Sequence, residues 1–155
     1  MYMDYQCYNH IIELPEDEQV LLRNAHEATK DAYAPYSNFL VGAAALLENG
    51  EIIKGSNIEN ASFPLCLCAE RTALAAVHAV YPRTKVIKMA VTAQSSHKKI
   101  VEPISPCGAC RQVIKEIENR FQTAIKIILQ GETGAIYTFN SMNDLLPMSF
   151  NSDYL

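Results

Sequence analysis

The sequence predicts an α/β fold: a three-layer α/β/α sandwich around a central mixed sheet of roughly five strands. Short apolar runs typical of strands alternate along the chain with segments of helical period, and turn signals separate them. A sheet whose strands alternate with helices is covered on both faces. The 155 residues suit one domain with its own core, so we expect a single domain over residues 1–155, with residues 1–14 as an N-terminal extension.

Proline positions and capping residues mark the predicted helices. Pro15 and Pro106 fit first helical turns, where a missing N–H costs nothing. The second helix is rich in alanine and leucine and ends before Pro82. Ser141 is suited to cap a short final helix, which Pro147 stops. Helices are therefore expected over residues 14–33, 68–80, 106–119 and 141–146.

The predicted strands are short, apolar and bounded by turn residues. Asn49-Gly50 is a strong hairpin signal, because both residues tolerate positive φ. Residues 1–13 are expected to be a loose tail, residues 57–67 an irregular connection and residues 94–104 a polar surface loop. Strands are expected over residues 41–47, 51–55, 86–93, 124–129 and 135–139.

Charge and hydropathy exclude several classes of partner. The net charge of −4 and the absence of a Lys/Arg cluster argue against a nucleic acid polymer, which would need a basic face. No apolar run approaches the roughly 20 residues that span a bilayer. The first ten residues lack the pattern of a signal peptide, so we expect a cytoplasmic protein without a membrane partner.

The cysteines point to a metal. Their number is odd and four of them form two close pairs, which favours metal binding over disulfides in a chain without an export signal. The five are Cys7, Cys66, Cys68, Cys107 and Cys110.

Three of these cysteines suit a catalytic zinc ion, Zn²⁺. Such an ion keeps one position open and needs three protein ligands, here Cys68, Cys107 and Cys110. Cys68 lies at the start of one predicted helix and the pair Cys107 and Cys110 at the start of another, and helix N-termini favour thiolates. Glu70, two residues after Cys68, is placed to take a proton from water in front of the metal without binding it.

Three thiolates on a divalent ion leave a net negative charge that weakens the metal as a Lewis acid. Arg71 is the candidate for compensating it through hydrogen bonds to the ligand sulfurs, and Arg111 is a weaker candidate.

Two other uses of the cysteines stay open at this point. The pair Cys107-x-x-Cys110 also occurs as a redox pair in thioredoxin-like folds, although no first βαβ unit precedes it here. A closed structural zinc site would need Cys66 as a fourth ligand. Otherwise Cys66 is a buried thiol without a metal.

Four runs of the sequence resemble the small homotetrameric cytidine deaminases, which belong to the superfamily of zinc nucleoside deaminases. Cys68-Ala-Glu followed by Pro106-Cys-Gly-Ala-Cys matches the superfamily's zinc signature. The resemblance covers roughly residues 20 to 150 and implies the same sandwich fold. The runs are APYSNFLVGAA from Ala34, NIENA from Asn57, CAERTA from Cys68 and SPCGACRQ from Ser105.

The resemblance implies a reaction and a set of substrate contacts. Cytidine and deoxycytidine would be hydrolysed to uridine and deoxyuridine plus ammonia, in pyrimidine salvage, with one zinc ion per subunit activating water and Glu70 moving the protons. The Ala69 backbone and the Ser105 carbonyl would hold the base. Asn57 and Glu59 would bind the ribose, as an amide and a carboxylate can; their ordinary alternative is loop capping. Phe39 would pack on the nucleoside, or else belong to the core.

The resemblance also implies that neighbouring subunits of a homotetramer complete each pocket. Phe150, in the run LLPMSF, matches an aromatic residue that stacks over a partner's base, and is otherwise an exposed tail residue. Ala61 and Phe63 match positions near the partner's ribose. Phe63 replaces a frequent tyrosine, and Pro64 is an unusual neighbour for it, so this contact is expected to differ from the family's.

Two further functions are weighed beside cytidine deamination. The same fold deaminates cytosine-bearing antibiotics, but Asn57 and Glu59 suit a free ribose. A non-enzymatic module stabilised by zinc would bind the ion through all four of the paired cysteines.

Overall fold

The computed structural model describes residues 3–155, which form an α/β/α sandwich and confirm the predicted fold class. The helices in this part of the chain are α1 (Glu16–Ala28), α2 (Ala69–Val80) and α3 (Gly108–Phe121). The strands are β1 (Gln6–Tyr8), β2 (Phe39–Leu47), β3 (Ile52–Ser56), β4 (Val86–Ser95), β5 (Lys126–Gln130) and β6 (Ile136–Phe139).

The strands form one mixed sheet in the order β1-β6-β5-β4-β2-β3. β4 and β5 are parallel neighbours, and the other neighbouring pairs are antiparallel. The five predicted strands are all present, with ends that differ from the prediction by one or two residues. The sheet has six strands rather than five, because β1 was not predicted.

Strand β1 corrects the expectation of a loose tail over residues 1–13. It pairs antiparallel with β6, and the Tyr5 ring packs against the rings of Tyr137 and Phe139, with centroids 5.0 and 5.8 Å away. A strand of three residues has no period to recognise, so only its pairing with a distant segment defines it. Residues 1 and 2 of the expected tail lie outside the described residues.

Alternate residues of each central strand face opposite layers, as the two-residue period of a strand requires. In β2, Ala43, Ala45 and Leu47 face α2 and α3, whereas Ala44 and Leu46 face α1. Both faces of the central strands are therefore buried. This explains why the strands appear in the sequence as continuous apolar runs instead of alternating ones.

The topology places the N-termini of α2 and α3 at the same edge of the sheet. β3 and β4 are both antiparallel to β2, so they run parallel to each other and end at one edge. α2 follows β3 and α3 follows β4. Because both connections cross the sheet in the same direction and crossovers are right-handed, both helices cover the same face.

Helix α2 lies unusually close to β3 at Gly55. A Cβ atom at this position would clash with the Ala73 amide and would lie 2.6 Å from the Ala69 carbonyl oxygen. The Thr72 hydroxyl bonds across the same gap, with the Ser56 carbonyl 2.9 Å away. The start of α2 is thus fixed against the end of β3, which fixes the residues that follow Cys68.

Two of the predicted helices are shorter than expected, and the other helix ends shift by one or two residues at most. α1 ends at Ala28 and continues only as a 3-10 turn, Thr29–Asp31. The helix predicted over residues 141–146 is one 3-10 turn, Met142–Asp144, because Pro147 leaves too few residues for an α-helix. Ser141 caps it as predicted, accepting a hydrogen bond from the backbone of the turn. Within residues 3–155 no helix combines the length and apolar character needed to cross a membrane.

A buried carboxylate connects the segment after β6 to α3. Glu118 is 4% exposed, and its Oε1 accepts hydrogen bonds from the amides of Ile125 at 2.8 Å and Met142 at 2.9 Å. Its Oε2 accepts the Ser141 hydroxyl at 3.1 Å. Glu118 thereby joins α3, the start of β5 and the segment after β6.

We predict that Glu118→Ala lowers the free energy of unfolding by about 2–4 kcal/mol, because two buried amides lose their acceptor. The measurement is chemical denaturation. Glu116→Ala, an exposed site on the same helix, is the matched control and should change stability by less than about 0.5 kcal/mol. Equal effects of the two variants would contradict the assigned role.

Candidate active site

Three sulfur atoms meet where α2 and α3 begin. The Sγ atoms of Cys68, Cys107 and Cys110 all lie within 4.8 Å of one another, with Cys68–Cys107 at 3.7 Å and Cys107–Cys110 at 3.4 Å. A tetrahedral zinc ion with bonds of ~2.3 Å separates its thiolates by ~3.8 Å. The cluster therefore fits zinc, and it is the one such group of ligands within residues 3–155.

Helix capping positions two of the ligands. Cys68 is the N-cap residue of α2, and Cys107 is the N-cap residue of α3. The Cys107 sulfur accepts a hydrogen bond from the Cys110 amide at 3.5 Å. The Cys68 side chain makes no such capping bond at α2, but the positive end of each helix dipole still favours the ionised thiols.

The thiols are electrostatically coupled to one another. Hydrogen bonds, chiefly from Cys110 and then from Cys107 and Arg71, lower the pKa of the Cys68 thiol to about 5. The bond to Cys68, together with burial, raises the pKa of the Cys110 thiol. Cys68 is thus the thiolate that the other two thiols support, whereas a bound divalent metal would ionise all three.

Glu70 lies beside this cluster without belonging to it. Its side chain is 4% exposed and lines the same cavity as Cys68 and Cys107. Burial raises the pKa of the Glu70 carboxyl; a backbone hydrogen bond opposes this in part, and the charge of Cys68 adds a smaller upward shift. A buried carboxyl with a raised pKa is suited to accepting and returning a proton.

The two arginines have different contacts. Arg71 Nη2 donates to the Cys66 carbonyl at 3.0 Å and lies 4.0 Å from the Cys68 sulfur, as charge compensation requires. The Arg111 guanidinium donates instead to two backbone carbonyls, those of Pro106 and Leu145. Of the two arginines, it is Arg71 that the structure brings to a sulfur atom.

The structure does not include Cys66 in the sulfur cluster. Its sulfur accepts a hydrogen bond from the Asn60 amide at 3.2 Å, and the residue is half-buried. The closed site with four cysteine ligands is therefore not formed. The cysteine pair of α3 is also free of a disulfide, since all five cysteines are free thiols.

A cavity of about 700 Å³ opens in front of the cluster. It is a size that suits a small-molecule ligand. Four of the predicted substrate contacts line it, namely Phe39, Asn57, Glu59 and Ser105. Ala69 is fully buried behind them as the first residue of α2, where a backbone amide has no acceptor within the helix.

The Asn57 side chain holds the start of β2. Its Oδ1 accepts the Val41 amide at 2.8 Å, and its Nδ2 donates to the Phe39 carbonyl at 2.9 Å. The amide group has two N–H donors, so one remains for a ligand. The predicted sugar contact and the ordinary loop-capping role are thus compatible.

Glu59 is held by the loop before β2. One oxygen accepts the amides of Tyr36 and Ser37 at 2.8 and 3.3 Å, and the other accepts the Ser37 hydroxyl. The Ser37 hydroxyl, ahead of the two amides, lowers the pKa of Glu59. The carboxylate is fixed and charged at the cavity wall.

The residues assigned to neighbouring subunits do not line this cavity. Phe63 is 67% exposed and meets the Tyr36 ring edge-on at 5.6 Å. Phe150 is 60% exposed and stacks on Tyr154. Ala61 is exposed in the same irregular connection as Phe63.

Sequence reasoning missed several lining residues. Ser37 lies in the run that begins at Ala34, but its role depends on Glu59, 22 residues away. The apolar part of the wall comes from Val41, Ile58, Leu67 and Ile104. These positions carry no chemical signal in a sequence, because apolar residues mark a core as often as a pocket wall.

Comparisons with known proteins agree with this geometry. Residues 15–125 match the family model for the cytidine and deoxycytidylate deaminase zinc-binding region. A cytidine deaminase of Halalkalibacterium halodurans is 41% identical over 88% of this chain and 96% of its own length. One of Sporosarcina psychrophila is 39% identical over 90% of this chain and 95% of its own.

Solved structures give the same result. The crystal structure of a Burkholderia pseudomallei cytidine deaminase is 41% identical, with a TM-score of 0.74 over 84% of this chain and 97% of that one. That of Mycobacterium tuberculosis is 32% identical, with a TM-score of 0.68 over 88% of this chain and 99% of that one. With the cysteine cluster, these matches confirm the predicted zinc cofactor. The chain belongs to the cytidine and deoxycytidylate deaminase family.

Proposed function

We propose that the protein hydrolyses cytidine and deoxycytidine to uridine and deoxyuridine, with release of ammonia. The observation that supports this most is the buried Glu70 carboxyl beside three convergent cysteines, two of which line the same cavity as Glu70. Cys68, Cys107 and Cys110 would hold the zinc ion, which would supply Lewis-acid activation of a water molecule.

The backbone around the cluster suits the polar edge of cytosine. The Ala69 amide, unpaired at the start of α2, is a donor for the carbonyl oxygen of the base. The Ser105 carbonyl, on the cavity wall, is an acceptor for the amino group that leaves. Phe39, which is 36% exposed and lines the same wall, packs against the nucleoside.

Glu70 moves the protons of the reaction. It accepts one from the attacking water, delivers one to the ring nitrogen N3, and assists the departure of the amino group as ammonia. Its burial beside Cys68 keeps competing water away from the carboxyl. Arg71, bonded to the Cys66 carbonyl and close to the Cys68 sulfur, offsets the negative charge of the thiolates.

The residues expected to contact the ribose favour cytidine over a cytosine-bearing antibiotic as the substrate. Asn57 keeps one free N–H, and Glu59 is a fixed carboxylate, so together they offer a donor and an acceptor to a diol. A deaminase for a cytosine-bearing antibiotic remains the alternative, and it is separated from the main proposal by the substrate assay below.

We propose a homotetramer in which neighbours complete each pocket. Exposed apolar side chains occur in residues 33–36 and 58–67, two segments close in sequence to cavity-lining residues, and a surface of this kind marks an interaction site. Phe150, Ala61 and Phe63 would contact substrate in a neighbouring subunit. The exposed apolar residues of these two segments are Tyr33, Tyr36, Ile58, Phe63, Leu65 and Leu67.

We place the enzyme in the cytoplasm, acting in pyrimidine salvage. The reducing conditions there keep thiols free for a metal, and all five cysteines of the chain are free.

The activity is tested by mixing purified protein with cytidine and following the fall in ultraviolet absorbance. A strong zinc chelator should abolish the fall, and added Zn²⁺ should restore it. A cytosine-bearing nucleoside antibiotic is the matched comparison. We expect faster turnover of cytidine, and the reverse order would select the alternative function.

Glu70→Gln tests the proton shuttle. The variant should retain about one zinc per chain while kcat falls by about 10²–10⁴-fold, because the amide cannot accept the proton. Glu51→Gln, at the exposed hairpin, should match the unchanged protein in both measurements. Undiminished turnover would remove Glu70 from the mechanism.

Single cysteine variants test the ligand set. Cys107→Ala should retain less than ~0.1 zinc per chain by metal analysis, because two thiolates do not complete the site. Cys66→Ala and Cys7→Ala should keep ~1 zinc per chain. Loss of zinc from Cys66→Ala would instead support a site with four cysteine ligands.

A further inference from the structure

We propose that Arg111 and Gln112 are positioning residues that hold the C-terminal segment, residues 145–150, against the metal-bearing turn of α3. They follow Cys110 directly in the sequence. The inference rests on the proposed function, since it explains how Phe150 is presented to the substrate of a neighbouring subunit.

Arg111 donates hydrogen bonds both to the loop before α3 and to the start of the C-terminal segment. Its Nε donates to the Pro106 carbonyl at 2.8 Å, and its Nη1 donates to the Leu145 carbonyl at 2.9 Å. Pro106 lies between Ser105 and Cys107, so one guanidinium fixes the loop that carries a base contact and a metal ligand. The planar fork of donors makes both bonds at once, which a lysine cannot do.

Gln112 holds the other end of the segment. Its Nε2 donates to the Phe150 carbonyl at 2.8 Å. Leu145 is 7% exposed and Leu146 packs against the core, so core packing holds their end of the segment. Phe150 is 60% exposed, and the Gln112 hydrogen bond holds it together with stacking on the Tyr154 ring, 5.8 Å away.

The start of α3 thus sets the position of Phe150 and of two metal ligands, Cys107 and Cys110. Loss of the Gln112 contact frees Phe150 without disturbing the sulfur cluster, so it should weaken substrate binding and leave the chemical step nearly unchanged. Loss of the Arg111 contacts also frees the Pro106 carbonyl and should affect both substrate binding and the chemical step.

A fluorescence experiment tests the contact without substrate. The chain contains no tryptophan, so Phe150→Trp introduces a single probe. Adding Gln112→Ala should raise the acrylamide quenching constant of that probe about twofold and lower its anisotropy, because a held side chain is released. Gln122→Ala is the matched control: it removes a glutamine at the far end of α3 that also donates to a backbone carbonyl. It should change neither value.

A kinetic cycle tests the consequence for substrate. Gln112→Ala should raise KM for cytidine about threefold to tenfold, the loss of one hydrogen bond, with kcat within about twofold. Gln112→Glu, which lacks the donor, should behave alike. In a Phe150→Ala background, Gln112→Ala should have no further effect on KM, because the ring that Gln112 positions is already absent.

The outcomes separate the two proposals. Unchanged quenching, additive effects on KM, or an unchanged KM for Phe150→Ala would overturn the positioning role. If the unaltered protein fails to turn over cytidine, the proposed function fails, whereas the fluorescence result still decides whether Gln112 holds Phe150.

Discussion

The site depends on one constraint: the sheet must bring the starts of two helices to the same point. The parallel directions of β3 and β4 bring them to one edge, and the close approach at Gly55 sets the depth of α2. Two of the three cysteines, Cys68 and Cys107, are N-cap residues, so the starts of the two helices determine where their sulfurs lie. The polar groups of the pocket are held in the same way. Asn57 and Glu59 are fixed by β2 and by the loop before it, and little reorganisation remains for binding.

The residues that sequence analysis identified were those with local signals. Cys107 and Cys110 are one helical turn apart, and Glu70 follows Cys68 by two residues, so each group shows in a short window. The central strands were predicted because burial on both faces makes them continuous apolar runs. That the two cysteine groups meet was expected from the zinc chemistry and from the family resemblance. The structure provides the topological reason.

The features that sequence analysis missed depend on distant partners. Strand β1 is defined only by pairing with β6, more than a hundred residues later. Arg111 is the weaker sequence candidate for charge compensation, and its guanidinium instead donates to the Leu145 carbonyl, 34 residues away. Ser37 gains its role only through Glu59. In each case the local sequence fits several environments equally well, and tertiary contacts select one.

The short strand β1 has a consequence for how copies of the protein can meet. It covers β6, whose open hydrogen-bonding groups would otherwise form that border of the sheet. The new border is three residues long, and a ribbon of that length is a poor template for lateral growth into fibres. Residues 6–8 thus terminate the sheet at this border, so lateral addition of a further strand is disfavoured beside β1.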